Sequence, residues 1–597
     1  AKPEFAKERD RLNDLATRLL IYEGLRAAPE PENAASRLAY RRRLMEERRE
    51  LAALFGLSVQ RLDLTDVRVG AFPGVLEPAE IAAQQAKGNG GGIRDDAGFR
   101  IGSATLDTVR YGGLAADKIT GANLRGAIQL RTPGVDGLHD PDGQVEVALF
   151  GGDSITIDNA RQGDSPNRAE RIVIKGFDGT VRLTDAGLSI QGFVIENLSV
   201  TDAHYQTATS YLWSQGETVL RGLELDMTIP FEATASKNTD GKEENPDPAW
   251  SRLNTSIVQI QRLHIDAIEA AALGYRGFDK SGGVAKEVIV DSGTLREVDI
   301  TDFTLQMPED GEMSYAGNIS VQTLEKVQFS AKMGDSFRAR GVLGDGRKER
   351  GDDQPAIKIG IANSEDITVE LDTVSLTEGG IDLRTASGKG RVLVRRADIS
   401  GEIGLVGNAI QVRSLRIPDL DMPLIEWKTK DGATLKATKA HLLDLRLRLN
   451  YITESETRST VELKELFIGA FRAETIDYDD GKGFTVTLME EFTVEGHQPF
   501  IKGLLLQDLT VRMGPKETTL SGGHGKVERI GALANIIAEA EKGEGGGAYT
   551  QLATALVAAS ANGLTFTDFG YSSKDGLTLG GSVKEFSING DATVGPK

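Results

Sequence analysis

The chain has 597 residues, with 69 Lys and Arg against 89 Asp and Glu, so its formal net charge is −20. Such acidity argues against a nucleic-acid binder, whose footprint is basic. The lack of any cysteine excludes disulfide scaffolds, thiolate zinc sites and thiol nucleophiles. With 39% apolar and 26% charged residues the chain can build a core. No apolar run approaches the ~18 residues of a membrane-spanning helix. A chain without thiols cannot mispair in an oxidising compartment, which fits export to a bacterial periplasm or cell envelope, or outside the cell. Its first residue is Ala1 and no apolar leader is visible, which fits either a removed leader or a piece of a longer chain.

In chain order, residues 1–57 read as a helical hairpin. Leu12, Leu15, Leu19 and Tyr22 recur at helical spacing, as do Leu44, Leu51 and Leu54. Pro29-Glu30-Pro31 breaks the pattern between the two helices, and Gly56 ends the second. From 58 the period becomes strand-like, giving a first β segment over 58–131. The Gly-, Asp- and Pro-rich stretch 132–170 reads as a loop-rich insertion, and 171–525 as the main β-meander. The alanine-rich 526–562, with EGGG near its middle, reads as a second helical hairpin, and 563–597 returns to strands.

One pattern dominates the strand regions: two alternating apolar residues, a polar pair, then two more. It occurs as LSIQGFVIENLSV (188–200), IQVRSLRIPDLDM (410–422), VELKELFI (461–468), LLLQDLTV (504–511) and LTFTDFGY (564–571). Strict alternation has a period of two, so a polar pair would throw the second doublet onto the opposite face. A β-bulge at the pair keeps both doublets on one face and bends the strand. Asp178-Gly179, Asp431-Gly432, Asp480-Gly481 and Asp575-Gly576 lie between such runs and predict tight hairpins. Hairpins join antiparallel neighbours, and the irregular motif spacing disfavours the fixed coil of a parallel β-helix. The expected fold is therefore mainly β: a long curved antiparallel meander forming a groove or an elongated sheet, with helical hairpins near both ends.

Catalytic patterns are missing. The six histidines have no metal-binding spacing, GGHGK (522–526) lacks the spacing of a phosphate loop, and no G-x-S-x-G elbow occurs. Asp140-Pro141-Asp142-Gly143 and Asp477-Tyr478-Asp479-Asp480-Gly481 resemble calcium loops only in composition and read as solvated turns. Asp419 and Asp421 read as ordinary surface carboxylates. The sequence implies no enzyme, no metal and no cofactor.

Amphipathic strands this numerous, with few helices to cover them, need somewhere to put an apolar face. The motif segments, with GLTLGGSVKEFSING (576–590), resemble the strands of AsmA/TamB-like envelope proteins and of chorein-type lipid-transfer proteins. That resemblance implies a curled antiparallel groove carrying lipid acyl chains between membranes, with membrane-anchored or envelope proteins as partners. The groove lining it implies is Leu188, Ile190, Phe193, Ile195, Leu198 and Val200, with Ile410, Val412, Leu415 and Ile417. Val461, Leu463, Leu466 and Ile468 follow, then Leu504, Leu506, Leu509 and Val511, and finally Leu564, Phe566 and Phe569. Roughly 30 strands at ~4.8 Å each would extend ~140 Å, more than the ~45 Å of a bilayer. The alternative is an elongated structural or interaction protein, such as a spike, a fibre or secreted or injected cargo, whose β core is filled by its own side chains.

Overall fold

The structure is a computed structural model. It describes residues 59–71, 97–111, 114–130, 145–147, 151–162, 165–183, 187–207, 210–230, 257–278, 283–306, 314–345, 354–363, 366–385, 388–407, 409–455, 458–494, 496–513, 517–540, 550–574, 578–588 and 592–596, besides Arg18, Ile21 and Arg43. Those last three have helical backbone. The rest of the expected amino-terminal hairpin, 1–57, lies outside the described residues, as does the Asp140–Gly143 turn.

The chain divides into two compact units. The first comprises residues 1–273 and 296–318 and holds β1 (Arg61–Ala71), β2 (Ala97–Tyr111), β3 (Leu114–Leu130), β4 (Val145–Val147), β5 (Gly152–Gln162), β6 (Arg168–Leu183), β7 (Gly187–Gln206), β8 (Ser210–Ser214) and β9 (Glu217–Pro230). Strands β10 (Ile257–Phe278), β11 (Val284–Gln306) and β12 (Ser314–Met333) each give residues to both units. The second unit, 274–295 and 319–597, continues with β13 (Phe337–Asp345), β14 (Ile357–Asn363), β15 (Asp366–Arg384), β16 (Gly388–Val406), β17 (Ala409–Thr429), β18 (Thr434–Ser455), β19 (Arg458–Arg472) and β20 (Thr475–Asp479). It ends with β21 (Phe484–Met489), β22 (Glu491–Thr493), β23 (Gly496–Gln498), β24 (Ile501–Met513), β25 (Glu517–Ala540), β26 (Thr550–Lys574), β27 (Thr578–Ile588) and β28 (Ala592–Pro596).

Within each unit, strands pair antiparallel with their neighbours in sequence. In the first unit β1 to β3 pair in turn, β3 with β5, then β5 to β7, β7 with β9, and β9 with β10. In the second, β15 to β19 pair in turn, β19 with β24, and β24 to β27 in turn. Broken strands share a position: β13 and β14 both pair with β15, and β21 and β24 both pair with β25. The β22–β23 hairpin stands apart as a two-stranded sheet. The expected antiparallel meander is thus present.

The bulges of the sequence motif are real and aligned. Fifteen described non-glycine residues have φ between 45° and 57°, eight of them Asp or Asn, the side chains that best tolerate the left-handed region. Asp66, Asp302, Asp508 and Asp568 are each the second member of a polar pair between apolar doublets. Along two rows in the second unit, bulges oppose one another on successive strands. One row steps over Pro418, Asp444, Gly469, Gly503, Glu528 and Gly563. Another steps over Lys464, Asp508, Gly523, Asp568 and Lys584, five residues further out on β24, β25 and β26. A bulge bends its strand, so an aligned row bends every strand it crosses at one level.

Three expectations are overturned. Residues 526–540 and 550–562 lie in the long strands β25 and β26, paired from Glu517↔Lys574 to Ala540↔Thr550, instead of in two helices. Their spacing misled: Val527 and Ile530 are three apart because a bulge at Glu528 separates them, which imitates helical periodicity, and alanine favours helices locally. Pairing along both edges of β25 overrides that preference. Likewise Asp178-Gly179 is no hairpin, because β6 runs straight through it with a register shift at that point. Turns do occur at Asp431-Gly432 and Asp480-Gly481, and β26 and β27, either side of Asp575-Gly576, pair antiparallel. Strands β4 and β5 fall inside 132–170, where the sequence suggested loops.

Asp508→Val places a β-branched side chain in the left-handed region and should cost about 1–2 kcal/mol of unfolding free energy. Asp508→Gly should stay within about 1 kcal/mol of the parent. Chemical denaturation of the three proteins checks both; equal loss in the two variants would mean that φ at 508 is unimportant.

Candidate functional site

In-register residues on antiparallel neighbours share a face, so the pairing shows which positions line up in rows. The sequence-selected residues of the second unit fall into four cross-strand rows. Ile410, Val461 and Val511 join Tyr451 and Leu520; Val412, Leu463, Leu509 and Phe569 join Leu449 and Gly522. Leu415, Leu466, Leu506 and Phe566 join Leu447 and Gly525; Ile417, Ile468, Leu504 and Leu564 join Leu445 and Val527. Gly525 is needed where it stands, because a methyl group there would collide with the Phe566 ring.

The six candidates on β7 belong to the first unit. Val200 opposes Ile172, Leu198 opposes Ile174 and Leu220, and Ile195 opposes Phe177 and Leu223. Phe193 opposes Leu225, Ile190 opposes Val181 and Met227, and Leu188 opposes Leu183 and Ile229. Of all the candidates with a described side chain, only Ile195 and Ile417 are buried; the others are half-buried. The face is therefore apolar across its strands and incompletely covered.

A longer row, in the second unit, escaped the sequence analysis. Val327, Leu343, Leu376, Ala397, Leu420, Leu442, Phe471, Ile501, Ile530 and Ala561 pair successively across ten strands. At ~4.8 Å per strand, its nine steps cover about 43 Å. The middle of this face is packed: Ala397, Met422, Ala440, Ala473 and Phe500 are buried in one cluster with Ile417. Toward the β25–β26 end it opens into a cavity of about 480 Å³. Phe471, Phe500, Ile501, Ile530 and Ala561 line that cavity, with Ile476 and Leu488 from the short strands β20 and β21. The Phe471 and Phe500 rings sit 6.2 Å apart in a tilted pair. The volume lies within the ~300–1,000 Å³ of small-molecule sites. Ile530 is 43% exposed despite its apolar neighbours. The helical reading of 526–562 hid these residues, although Val527, Ile530, Ala532 and Ala534 repeat the bulged alternation.

The opposite face carries ion pairs. Arg446 bonds Asp444 at 2.6 Å and lies over the Phe467 ring, 5.0 Å from its centroid; its guanidinium holds the Asp444 carboxyl below the usual carboxylate range. Exposed pairs of this kind contribute little each. Asp421 meets Arg395 at 3.1 Å and His441 at 3.8 Å, so the Asp419/Asp421 pair belongs to this surface. Asp480 accepts the backbone N–H of Phe484 and of Lys482, which lowers its pKa and makes its loop a side-chain-capped turn. GGHGK lies inside β25, where His524 bonds Gln507 at 2.9 Å.

In the first unit, His264 Nδ1 lies 2.7 Å from Asp299 Oδ1, while Nε2 lies 3.2 Å from Asp266 and 3.4 Å from Glu297. Glu224 on β9 is its partner in register. Burial of the ring lowers its pKa, but the hydrogen bond and charge of Asp299, joined by Glu297 and Asp266, outweigh burial and raise it above the ordinary 6.5.

The sequence matches no family model and no curated protein.

A pKa raised on folding stabilises the protein fully below 6.5, and that stabilisation is lost as pH rises through the folded value. Unfolding free energy followed from acid to alkaline pH should therefore decline above 6.5, and His264→Gln should flatten that decline. An unchanged slope in the variant would assign the decline to other groups.

Proposed function

We propose that the second unit binds lipid acyl chains along its apolar face and that the chain is a non-catalytic lipid-binding or lipid-transfer protein of an exported compartment. One observation carries this reading: the longest apolar row, closed by its own side chains around Ala397, opens at its β25–β26 end into an apolar cavity beside Phe471 and Phe500, and the rows alongside it are mostly half-buried. A half-buried leucine still shows water part of the area that full burial would remove. An acyl chain laid along the row would recover roughly 0.8 kcal/mol for each methylene it buries. The row direction, perpendicular to the strands, suits a long unbranched ligand.

The second reading, a structural or interaction protein with a self-filled core, is favoured by the cluster at Ala397 and Ala440, where the face is closed by its own side chains. Substitutions at the open and closed parts separate the two. Ile530→Asp can reach water and should fold with nearly unchanged stability, whereas Met422→Asp buries an unpaired charge and should cost several kcal/mol. Mass spectrometry of organic extracts should find acyl lipids with the wild-type protein and a clear loss with Ile530→Asp or Leu463→Asp. Wild-type protein that carries no lipid and takes up no fluorescent fatty acid would overturn the proposal.

A further inference from the structure

On the second unit, the ends of β13, β15, β16 and β17 border a cavity of about 340 Å³ lined by Arg338, Arg384, Lys389, Arg391 and Lys428 together with the carboxylates of Asp335, Asp382 and Glu426. Five cations converge there in a chain whose net charge is −20. The pairing divides them into two kinds. In the inner row the signs alternate: Arg338 opposes Asp382, Asp382 opposes Arg391, and Arg391 opposes Glu426. Arg391 lies 3.7 Å from Asp382, so this row is largely neutralised from within.

The outer row is different. Arg384 opposes Lys389, and Lys389 opposes Lys428, placing three cations side by side on three strands. Like charges directly opposite one another destabilise a sheet. Among the described residues none of the three has a carboxylate at ion-pair distance, and the nearby Asp335 is engaged by Lys332 at 3.7 Å. All three side chains are exposed, so their charges are available to a ligand. An anion bound between the three would offset this repulsion more than solvent screening alone. Arg384 offers a planar fork suited to two phosphate oxygens, while Lys389 and Lys428 add point charges beside it.

We propose that Arg384, Lys389 and Lys428 form a binding site for a phosphate group, free or carried on a lipid headgroup. The site lies apart from the apolar cavity at Phe500 and stands whether or not that cavity takes acyl chains.

Calorimetric titration with inorganic pyrophosphate at low ionic strength tests the free-phosphate source. Co-sedimentation with vesicles of phosphatidylglycerol and phosphatidylcholine in equal parts, against phosphatidylcholine alone, tests the headgroup. Lys389→Gln with Lys428→Gln should weaken whichever binding occurs by at least about tenfold. The ligand-free double variant should melt at or above the wild-type temperature, because repulsion has been removed. Lys389→Arg with Lys428→Arg should restore binding, and Lys502→Gln, an exposed cation elsewhere, should leave it unchanged. Binding of pyrophosphate alone or of anionic vesicles alone supports the site and names its source. The proposal is overturned if wild-type protein binds neither, or if Lys502→Gln weakens binding as much as the double variant does.

Discussion

A β-strand has a period of two, and the protein is organised around a way of bending strands without breaking that period's consequence. A strand that bends by adding one residue would normally turn its next side chains to the opposite face. Here the added residue sits opposite another added residue on the neighbouring strand, as Asp508 does with Gly523 and Asp444 with Gly469. Register resumes beyond the pair with every apolar side chain still on the same side. The cost is a left-handed residue on one member of the pair, as at Asp444, or on both, as at Asp508 and Gly523, met by Asp, Asn or Gly at most such positions.

The rest follows from that pairing of bulges. Because apolar residues keep their face, they accumulate into rows such as Ile417, Leu445, Ile468, Leu504, Val527 and Leu564. Where side chains from several rows meet, as at Ala397, Ala440 and Phe500, the face closes over itself. Where the rows continue with Ile530 and Ala561, a cavity remains. The polar pairs meanwhile project their carboxylates and guanidinium groups onto the outer face, where Arg446 and Asp444 meet and where Arg384, Lys389 and Lys428 crowd together.

Much of this was legible in the sequence because the bulge is written locally. The pair Gln507-Asp508 between Leu506 and Leu509 announces both the bend and the side chain suited to it, and the same holds for Thr567-Asp568. What was lost was lost where local signals coincide. Val527 and Ile530 flank a bulge, and their three-residue spacing in an alanine-rich stretch is also that of a helix. Only the partners, Leu564 and Ala561, decide between them. Asp178-Gly179 failed for a related reason, since the dipeptide serves a hairpin turn and a bulge equally well, and the strand after it pairs onward with β7. The cavity at Phe500 depended on those partners, so the error over 526–562 concealed it. The in-register cations are legible only once Lys389 is known to face Arg384 and Lys428.

Sequence-order pairing also sets how the second unit answers a pull. Among the described residues, β16 and β17 are each paired only with the strand before and the strand after. Tension applied across that series loads the hydrogen bonds of one strand boundary from its end, a few at a time, as in a zip. The same bonds would resist together if the strands were drawn lengthwise past each other. The fold is thus mechanically anisotropic: compliant when its outermost strands are peeled away, stiff when they are sheared, with the bulge rows as the places where peeling pauses or proceeds.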